Sequence, residues 1–323
     1  MGGRKLGRRT IGNMKFPFQI RPANDFEAVG FGTNAVDYLI RVPEYPAYNS
    51  KVEIGEHSRA AGGEIASTMV GLARLGLTTA YAGRFGGDEA GELGRRSLID
   101  EGVDLTYAET IADAQTQVAY IIIDERNGER TVLWQRDKRL AYTEREAPVA
   151  AAVRGRVLHM TPHDASACIV MAKAARSKGV IVSLDLDSVF PGIEELLPLV
   201  DVCLASSDLP TKLLGITDTR EALREIKLRF GCPVVGVTKG VDGSIILGEG
   251  KFIETHAFPV PGGCVDTTGS GDAFRTGFVY GMLTGFTVET SARAANAVAS
   301  LKCRGAGARS SLPDKKQLSM LLK

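Results

Sequence analysis

The sequence predicts a three-layer α/β/α fold, in which helices cover both faces of a mostly parallel central sheet, together with a small separate β-sheet. The first observation is that short apolar runs alternate with segments of helical length from residue 156 onward, as in strands that helices bury on both faces. The second is that strand-like segments follow one another without helices in parts of the first half. With 323 residues, 44% of them apolar, the chain is long enough to bury a sizeable core.

The N-terminal segment, residues 1–25, is interpreted as a flexible basic tail, because six basic and no acidic residues lie in its first 21 positions. It lacks the apolar stretch of a secretory signal. The remaining residues, 26–323, are expected to form the folded domain. The formal net charge of +1 gives no overall field that would favour nucleic acid or a membrane surface as a partner, and no apolar run approaches the roughly 18 residues that span a bilayer.

The five cysteines are odd in number, widely spaced and without a C-x-x-C pair. This distribution is typical of reduced thiols, and not of a disulfide framework or a zinc site. We therefore expect a cytoplasmic protein.

The first predicted strand, residues 26–31, leads into a glycine pattern at residues 30–35 that formally matches the dinucleotide motif G-x-G-x-x-A. That motif needs a helix directly after it, with the helix N-terminus on the pyrophosphate. Residues 37–42 instead favour a strand, and Pro43 and Pro46 follow. A nicotinamide-binding fold is therefore disfavoured.

The small sheet is expected from strands within about residues 37–58 and 115–136. In the second segment, two strands flank the dipeptide Asn127-Gly128, which marks a tight hairpin turn. Because these strands interrupt a chain that otherwise alternates helix and strand, we expect them to form a sheet of their own.

Near the C-terminus, residues 265–274 combine an apolar approach, a turn of small residues and the start of a patterned helix at about Gly271. Residues at spacings of three and four predict one buried helix face: Phe274, Gly277, Phe278, Gly281 and Met282. A helix N-terminus after such a turn presents unpaired N–H groups and about half a positive charge, so it favours an anion. Asp272 adds a carboxylate in the first helical turn, and a base beside a phosphate-binding turn suggests phosphoryl transfer.

Further candidates come from the predicted parallel sheet, since ligands of such sheets gather at the carboxyl ends of the strands. Four polar residues follow or end predicted strands and are candidates for approaching the site: His163, Asp164, Asp185 and Asp187. Their spacing is not that of a metal-binding set.

The sequence Asp-Thr-Thr-Gly-Ser-Gly-Asp at residues 266–272 closely resembles the C-terminal signature Asp-Thr-x-Gly-Ala-Gly-Asp of the ribokinase-like (PfkB-type) carbohydrate kinases. The resemblance covers residues 26–313 and implies a ribokinase-like fold, with the small sheet as a lid over the sugar. It also implies Asp272 as the catalytic base, ATP as the phosphoryl donor and a homodimer formed through the small sheet. The N–H groups of the turn would then form the anion hole: Gly269, Ser270 and Gly271.

On the sugar side, Asp37 matches a family position whose carboxylate holds sugar hydroxyls, and Gly62 and Gly63 match the family's paired glycines. The family pattern continues to an Asn that binds the sugar, where this chain has Ser67. That departure leaves the identity of the sugar open. Arg84, in a later glycine-rich loop, is a candidate for contacting an anionic group of the substrate.

On the nucleotide side, residues 238–243 resemble the family's Thr-x-Gly-x-x-Gly turn, which implies Thr238, Gly240 and Gly243 near ATP. Asn296, in a later helix, matches a position that lines the adenine pocket. The resemblance further implies a candidate monovalent-cation site for K⁺ beside the anion-binding turn, formed by Asp266, Thr268, Gly307 and Ser311.

The family's Asn-x-x-Glu motif, which helps to organise magnesium and phosphates, is altered here to Ser206 and Leu209. We therefore expect Mg²⁺ to be held mainly by the nucleotide phosphates and water. The ketohexokinase and sulfofructose kinase branches also depart from the motif at this place, which favours a ketose-like substrate.

The resemblance thus predicts an ATP-dependent kinase for a small sugar, with a ketose such as fructose or a fructose derivative favoured and ribose as a further option. Two alternatives stay open. A nucleoside kinase of the same family would share every ATP-side motif. A non-catalytic sugar or nucleotide sensor would fit the altered Ser67 and Leu209, although a sensor has no need of the base Asp272.

Overall fold

The computed structural model describes residues 14–22 and 25–323. The strands are β1 (Phe26–Phe31), β2 (Ala35–Val42), β3 (Glu56–Gly62), β4 (Thr79–Ala82), β5 (Arg84–Gly86), β6 (Glu109–Ile111), β7 (Gln117–Asp124), β8 (Arg130–Gln135), β9 (Gly155–Met160), β10 (Ile181–Leu186), β11 (Val202–Ala205), β12 (Val234–Thr238), β13 (Ser244–Gly248) and β14 (Lys251–Thr255). The α-helices are α1 (Glu64–Arg74), α2 (Glu89–Asp100), α3 (Val149–Ala152), α4 (Ala165–Ser177), α5 (Ile193–Leu196), α6 (Leu209–Leu214), α7 (Thr219–Phe230), α8 (Ser270–Leu283), α9 (Val288–Lys302) and α10 (Lys315–Leu322). None of the described helices has the length and apolar character needed to cross a bilayer.

The large sheet has eight strands in the order β14-β13-β12-β11-β10-β9-β1-β4. The strands from β12 to β4 are parallel, whereas β13 and β14 pair antiparallel at one edge. Successive residues of a strand face opposite sides of the sheet. Along β9, Val157 therefore joins the apolar cluster under α1, α8 and α9, while Leu158 joins the cluster under α4 and α7. The predicted three-layer fold is confirmed.

Helices α8 and α9 approach each other closely through small residues of α8. A Cβ on Gly277 would lie 2.6 Å from the Cα of Ala295, and one on Gly281 would lie 2.8 Å from the Cα of Ser291. The glycine spacing that predicts one buried face of α8 therefore reflects this helix–helix contact. Because the packing fixes α8, it also fixes the position of the helix N-terminus at Ser270.

The small sheet has four strands in the order β3-β2-β7-β8, with β2 and β7 parallel and the outer pairs antiparallel. A separate sheet at this point is what the sequence predicts. Strand β3 continues past the expected residue 58, because its antiparallel register pairs Gly62 with Ala35. Strand β3 therefore ends beside the start of β2, and α1 begins directly after Gly63.

Most of the predicted N-terminal tail, residues 1–13 and 23–24, lies outside the described residues. Residues 14–22 depart from the prediction of a flexible tail, because they pack against the domain. The carbonyl of Met14 accepts a hydrogen bond from the N–H of Val288 at 2.9 Å, and the ring of Phe16 meets Phe278 edge-on at 5.7 Å. Apolar side chains within a basic segment thus attach it to α8 and α9.

Candidate active site

A cleft of about 680 Å³ is lined by the carboxyl ends of the central strands and by the small sheet. The central strands contribute residues from their ends and the loops that follow: Thr33 after β1, His163 after β9, Asp187 after β10, Ser206 after β11 and Thr238 in β12. This edge of a parallel sheet is where ligands usually bind. Of two further candidates from the sequence, Asp185 lines the cleft and Asp164 does not. Asp164 forms an ion pair with Arg136 at 2.7 Å.

Residues 266–272, called the anion turn below, lead into α8 at the wall of the cleft. Gly269 caps the helix in the left-handed region at φ 73°, and a Cβ there would lie 2.8 Å from a backbone atom of a neighbouring loop. The N–H of Ser270 donates to the carbonyl of Thr267 at 3.1 Å. Within the described part of the chain, the N–H groups of Gly269 and Gly271 have no protein acceptor. Two of the three predicted anion-hole donors are therefore available, and the third stabilises the turn.

Asp272 lies one residue after these donors, and its partly buried side chain lines the cleft. Burial raises the pKa of Asp272 to about 6, while Arg275 and Arg130 oppose this shift and Asp187 adds to it. A carboxylate with this pKa is mostly ionised at neutral pH and accepts a proton more readily than an ordinary aspartate. The turn thus combines a candidate base with unpaired N–H donors.

Arg275, which sequence reasoning missed, anchors the start of α8. Its guanidinium forms an ion pair with Asp185 at 2.7 Å and donates to the carbonyl of Leu204 at 3.2 Å. Both partners lie in central strands, β10 and β11. The contact therefore holds the N-terminal half of α8 against the large sheet. An arginine within an apolar helix pattern is the only signal that the sequence offers for it.

Asp266, at the beginning of the anion turn, is fully buried and each of its oxygen atoms accepts a hydrogen bond. Its Oδ1 accepts from the N–H of Thr268 and its Oδ2 from the N–H of Gly307, each at 2.7 Å. Its backbone oxygen accepts from the side-chain Nζ of Lys302 at 2.8 Å. Three of the four predicted cation ligands thus adjoin one another, but Ser311 places its Oγ against Gly305 instead. Sequence reasoning missed Lys302.

Asp37 of β2 also lines the cleft, and this residue is only 4% exposed. Burial raises the pKa of Asp37 to about 6, while Arg309 opposes the shift. A Cβ on Gly62 would lie 2.0 Å from this carboxylate, so a larger residue there would displace the Asp37 side chain. Gly63, with φ 88°, lines the cleft itself. Three of the predicted substrate-binding residues therefore lie together.

Ser67 is not among the cleft-lining residues, and the buried side chain of Arg309 contacts it. The guanidinium donates to the Ser67 Oγ at 3.1 Å, to the Ser97 Oγ at 2.8 Å and to the carbonyl of Gly62. The short side chain of Ser67 leaves room for Arg309. Ser67 therefore binds a buried arginine and does not form part of the cleft surface. Nothing in the closing loop's sequence distinguishes a buried arginine from an exposed one.

Arg84 also lies outside the cleft lining, and its charge is already paired. It forms ion pairs with Glu109 at 2.9 Å and Glu146 at 3.0 Å, and its guanidinium stacks 3.9 Å above the ring of Tyr142. It also donates to the carbonyl of Ala141 at 2.6 Å. These contacts correct its interpretation as a substrate-binding cation: Arg84 joins β5 to neighbouring segments.

The predicted nucleotide-binding residues line one end of the cleft: Thr238, Gly240, Gly243 and Asn296. A Cβ on Gly243 would lie 2.0 Å from the carbonyl oxygen of Thr255, which explains the glycine there. The side-chain amide of Asn296 donates to the hydroxyl groups of Thr255 at 2.7 Å and Ser244 at 3.1 Å. Asn296 therefore fixes the strands β13 and β14 that form the wall of this end.

Three aromatic side chains, called the aromatic wall below, line the cleft: Trp134, His163 and Phe190. The His163 ring lies 4.8 Å from Phe190 and 6.0 Å from Trp134, between centroids, and Trp134 is 57% exposed. Burial lowers the pKa of His163, so the imidazole is neutral at neutral pH. The wall thus offers flat, uncharged surface to a ligand. Sequence reasoning identified His163 as a candidate but missed its two partners.

The hairpin of the small sheet bonds directly to the anion turn. The carbonyl of Gly128 accepts from the N–H of Thr267 at 3.1 Å and from its Oγ1 at 3.0 Å. Arg130, which lines the cleft, donates to the same Oγ1 at 3.2 Å. The two regions that were predicted separately therefore meet, and the hairpin closes one side of the cleft.

Comparisons with known proteins place these features in context. A family model described as pfkB family carbohydrate kinase matches residues 29–315. The chain is 28% identical to a nucleoside kinase of Methanothermobacter thermautotrophicus, over 90% of this chain and 94% of that protein. It is 29% identical to a fructokinase of Escherichia coli, over 68% of this chain and 76% of that protein. The structure of Arabidopsis thaliana ribokinase with ribose and ATP has a TM-score of 0.81 and 27% identity, covering 94% of this chain and 99% of that one.

Proposed function

We propose that this chain, which belongs to the PfkB family of carbohydrate kinases and is therefore a phosphotransferase, transfers the γ-phosphoryl group of ATP to a hydroxyl group of a small sugar. The observation that supports the proposal most strongly is the position of Asp272 beside the N–H groups of Gly269 and Gly271, for which the described residues supply no acceptor. A base and an anion site side by side are the two elements that this transfer requires.

In the proposed reaction, the acceptor hydroxyl gives its proton to the Asp272 carboxylate as its oxygen attacks the γ-phosphorus. The bond between the γ-phosphorus and the bridging oxygen breaks, and ADP leaves with the electron pair. The N–H groups of Gly269 and Gly271 stabilise the charge on the transferred group, assisted by the dipole of α8. Thr238, Gly240 and Gly243 would hold the nucleotide.

Asp37 would hold hydroxyl groups of the acceptor, because a buried carboxylate without enough partners gains from hydroxyl donors. Gly62 and Gly63 would let the acceptor approach the backbone closely. Among sugars we favour a ketose such as fructose, with ribose second. This preference rests on Ser206 and Leu209, which replace the two residues of the family's Asn-x-x-Glu motif. Leu209 is fully buried and apolar, so it does not replace the acidic side chain of that motif.

A nucleoside is the second candidate acceptor, and the aromatic wall favours it. A nucleobase could form an aromatic stack with Trp134 or Phe190, whereas a free sugar has no aromatic ring and could offer these rings only its C–H groups. The similarity to a nucleoside kinase is consistent with this candidate. Both acceptors would use the same base and the same anion turn.

Mg²⁺ would be held mainly by the ATP phosphates and water, where it neutralises charge on the transferred group. Among the described residues, no group of three or more acidic, histidine or cysteine side chains could hold a metal ion by itself. Asp187, an exposed carboxylate in the cleft lining, is the residue best placed to contact the hydration shell of the ion.

The outer face of the small sheet suggests a homodimer. Tyr38 and Tyr120 stack there with ring centroids 5.0 Å apart, and the neighbouring Leu133 is 56% exposed. Apolar surface of this kind favours association. We expect light scattering to give twice the mass of the chain, and a monomer would contradict this part of the proposal.

The function is tested by measuring ATP consumption with a panel of acceptors in the presence of Mg²⁺. The panel contains fructose, sulfofructose, ribose, tagatose-type phosphates and purine and pyrimidine nucleosides. We expect turnover with a sugar, with a ketose preferred. Turnover with nucleosides alone would select the second candidate, and binding of acceptors without ATP consumption would contradict both.

A further inference from the structure

We propose that the side-chain ammonium of Lys302 is a built-in cation of the anion turn and makes this kinase independent of K⁺. Lys302 is the last residue of α9, and its side chain has no exposed surface. Its Nζ lies 2.8 Å from the backbone oxygen of Asp266 and 3.9 Å from its Oδ2. The inference rests on the proposed phosphoryl transfer at the adjoining turn.

Three of the four residues that the resemblance assigns to K⁺ do not fit a bound ion as they are arranged here, and the fourth, Thr268, offers a single buried hydroxyl oxygen without a protein partner among the described residues. All three oxygen atoms of Asp266 already accept hydrogen bonds from the protein. Gly307 points its N–H group at Asp266, and this N–H group repels a cation rather than binding one. Ser311 places its Oγ against Gly305. A metal cation on the backbone oxygen of Asp266 would also lie close to the Lys302 ammonium, and two positive charges in a buried site repel strongly.

Burying the charge of a lysine costs free energy unless an opposite charge lies nearby, so the buried Lys302 requires such a partner. Burial lowers the pKa of Lys302, and the Asp266 carboxylate opposes that shift. The carboxylate in turn accepts the N–H of Thr268, the residue directly before Gly269. Lys302 therefore acts on the anion-binding donors through Asp266. It is a positioning residue, and its charge also adds to the positive field in which the phosphates would lie.

The matched test compares the wild-type protein with Lys302→Met, which keeps the length of the side chain and removes the charge. Phosphoryl transfer is measured in choline, Na⁺ or K⁺ chloride at constant ionic strength. We expect the wild-type kcat to change less than about 2-fold among the salts. In choline chloride, the kcat of Lys302→Met should fall about 10- to 100-fold, as expected for one lost charge near a phosphoryl group. Addition of K⁺ or ammonium ions should restore a large part of it.

A second readout needs no acceptor and no catalysis. A cation that binds the folded protein raises its melting temperature. We expect K⁺, compared with choline, to raise the melting temperature of Lys302→Met and to leave that of the wild type unchanged. A protein that phosphorylates none of the acceptors would refute the proposed function, while the melting data would still test the cation site.

The control is Lys227→Met, which removes another lysine that donates to backbone carbonyls, those of Cys232 and Pro233, away from the cleft. Its kcat should remain at the wild-type value in every salt. The proposal is overturned by wild-type activity that K⁺ raises several-fold over choline. It is also overturned if folded Lys302→Met keeps its kcat in choline, or loses it without recovery in K⁺ or ammonium.

Discussion

The anion turn takes its shape from residues that adjoin in sequence, whereas the aromatic wall joins Trp134, His163 and Phe190 from three separate segments. Within the turn, the Ser270 N–H bonds to Thr267 and the Thr268 N–H to Asp266. The wall exists only because β8 lies over the ends of β9 and β10. One region is thus encoded mainly by local sequence, with supporting contacts from Gly128, Gly307 and Lys302, and the other by tertiary packing alone. We expect the first to govern catalysis and the second to govern acceptor choice.

The largest effect is expected at the turn. Asp272→Asn removes the proposed base and keeps the size of the side chain, so kcat should fall about 10²- to 10⁴-fold. The melting temperature and the affinity for ATP should change little, since the substitution leaves the backbone donors in place. Steady-state kinetics, thermal melting and equilibrium nucleotide binding check these outcomes.

The control for this substitution is Asp218→Asn, at the N-cap of α7, where asparagine caps equally well. Its kcat should equal that of the wild type. Near-normal turnover by Asp272→Asn would show that Asp272 is not the base. It would also contradict the expectation that the anion turn governs catalysis.

Features that depend on neighbouring residues can be predicted from the sequence, whereas features that depend on tertiary packing cannot. The Asp-Thr-Thr-Gly-Ser-Gly-Asp stretch predicts the anion turn because the glycine, the helix start and the base are consecutive, and the parallel sheet follows from its apolar runs. Lys302 and Arg309 could not be predicted, since burial of a charge depends on partners far away in sequence. Arg84 was misassigned because a cation in a glycine-rich loop gives no sign of the acidic partners that Glu109 and Glu146 supply.

The next effect is expected at the aromatic wall. Trp134→Ala removes the exposed ring of the wall, and stacking on an aromatic side chain is worth about 1–3 kcal/mol per base. If the acceptor is a nucleoside, its KM should rise about 10- to 100-fold while kcat changes little. A free sugar should lose much less. Initial-rate kinetics with both acceptor classes measure this split.

Leu133→Ala is the matched control, because the neighbouring side chain in β8 points to the outer face of the small sheet. Its acceptor KM should not change. A fall in kcat with an unchanged KM in Trp134→Ala would place the wall in the chemistry and would contradict the division between the two regions.

The pH dependence tests the turn without a substitution. Because the pKa of Asp272 is raised to about 6, the carboxylate is protonated below that pH and loses its function as a base. The kcat at saturating acceptor should therefore be constant from about pH 7 to 8 and fall about 10-fold at pH 5. Circular dichroism at each pH verifies folding. A kcat that stays constant down to pH 5 would mean that the raised pKa does not control the step.

The smallest effect is expected where the two regions meet. Thr267→Val removes the hydroxyl that bonds to Gly128 and Arg130 but retains the N–H that donates to Gly128. The hydrogen bond to Gly128 contributes about 1 kcal/mol and the solvent-exposed one to Arg130 less, so closure of the hairpin should weaken and the acceptor KM should rise about 5-fold. Trp134 is the sole tryptophan and lies in the same hairpin, so its fluorescence reports the change directly.

Acceptor binding should shift the Trp134 emission in the wild type, and a higher acceptor concentration should be needed for the same shift in Thr267→Val. Thr211→Val is the control, because it removes a hydroxyl that donates to the carbonyl of Ile216 outside the cleft. If Thr267→Val changes neither the KM nor the titration, the hairpin contact does not couple the turn to the wall. If it lowers kcat and leaves the KM unchanged, the contact serves the anion turn alone, because closure over the acceptor would act on binding first.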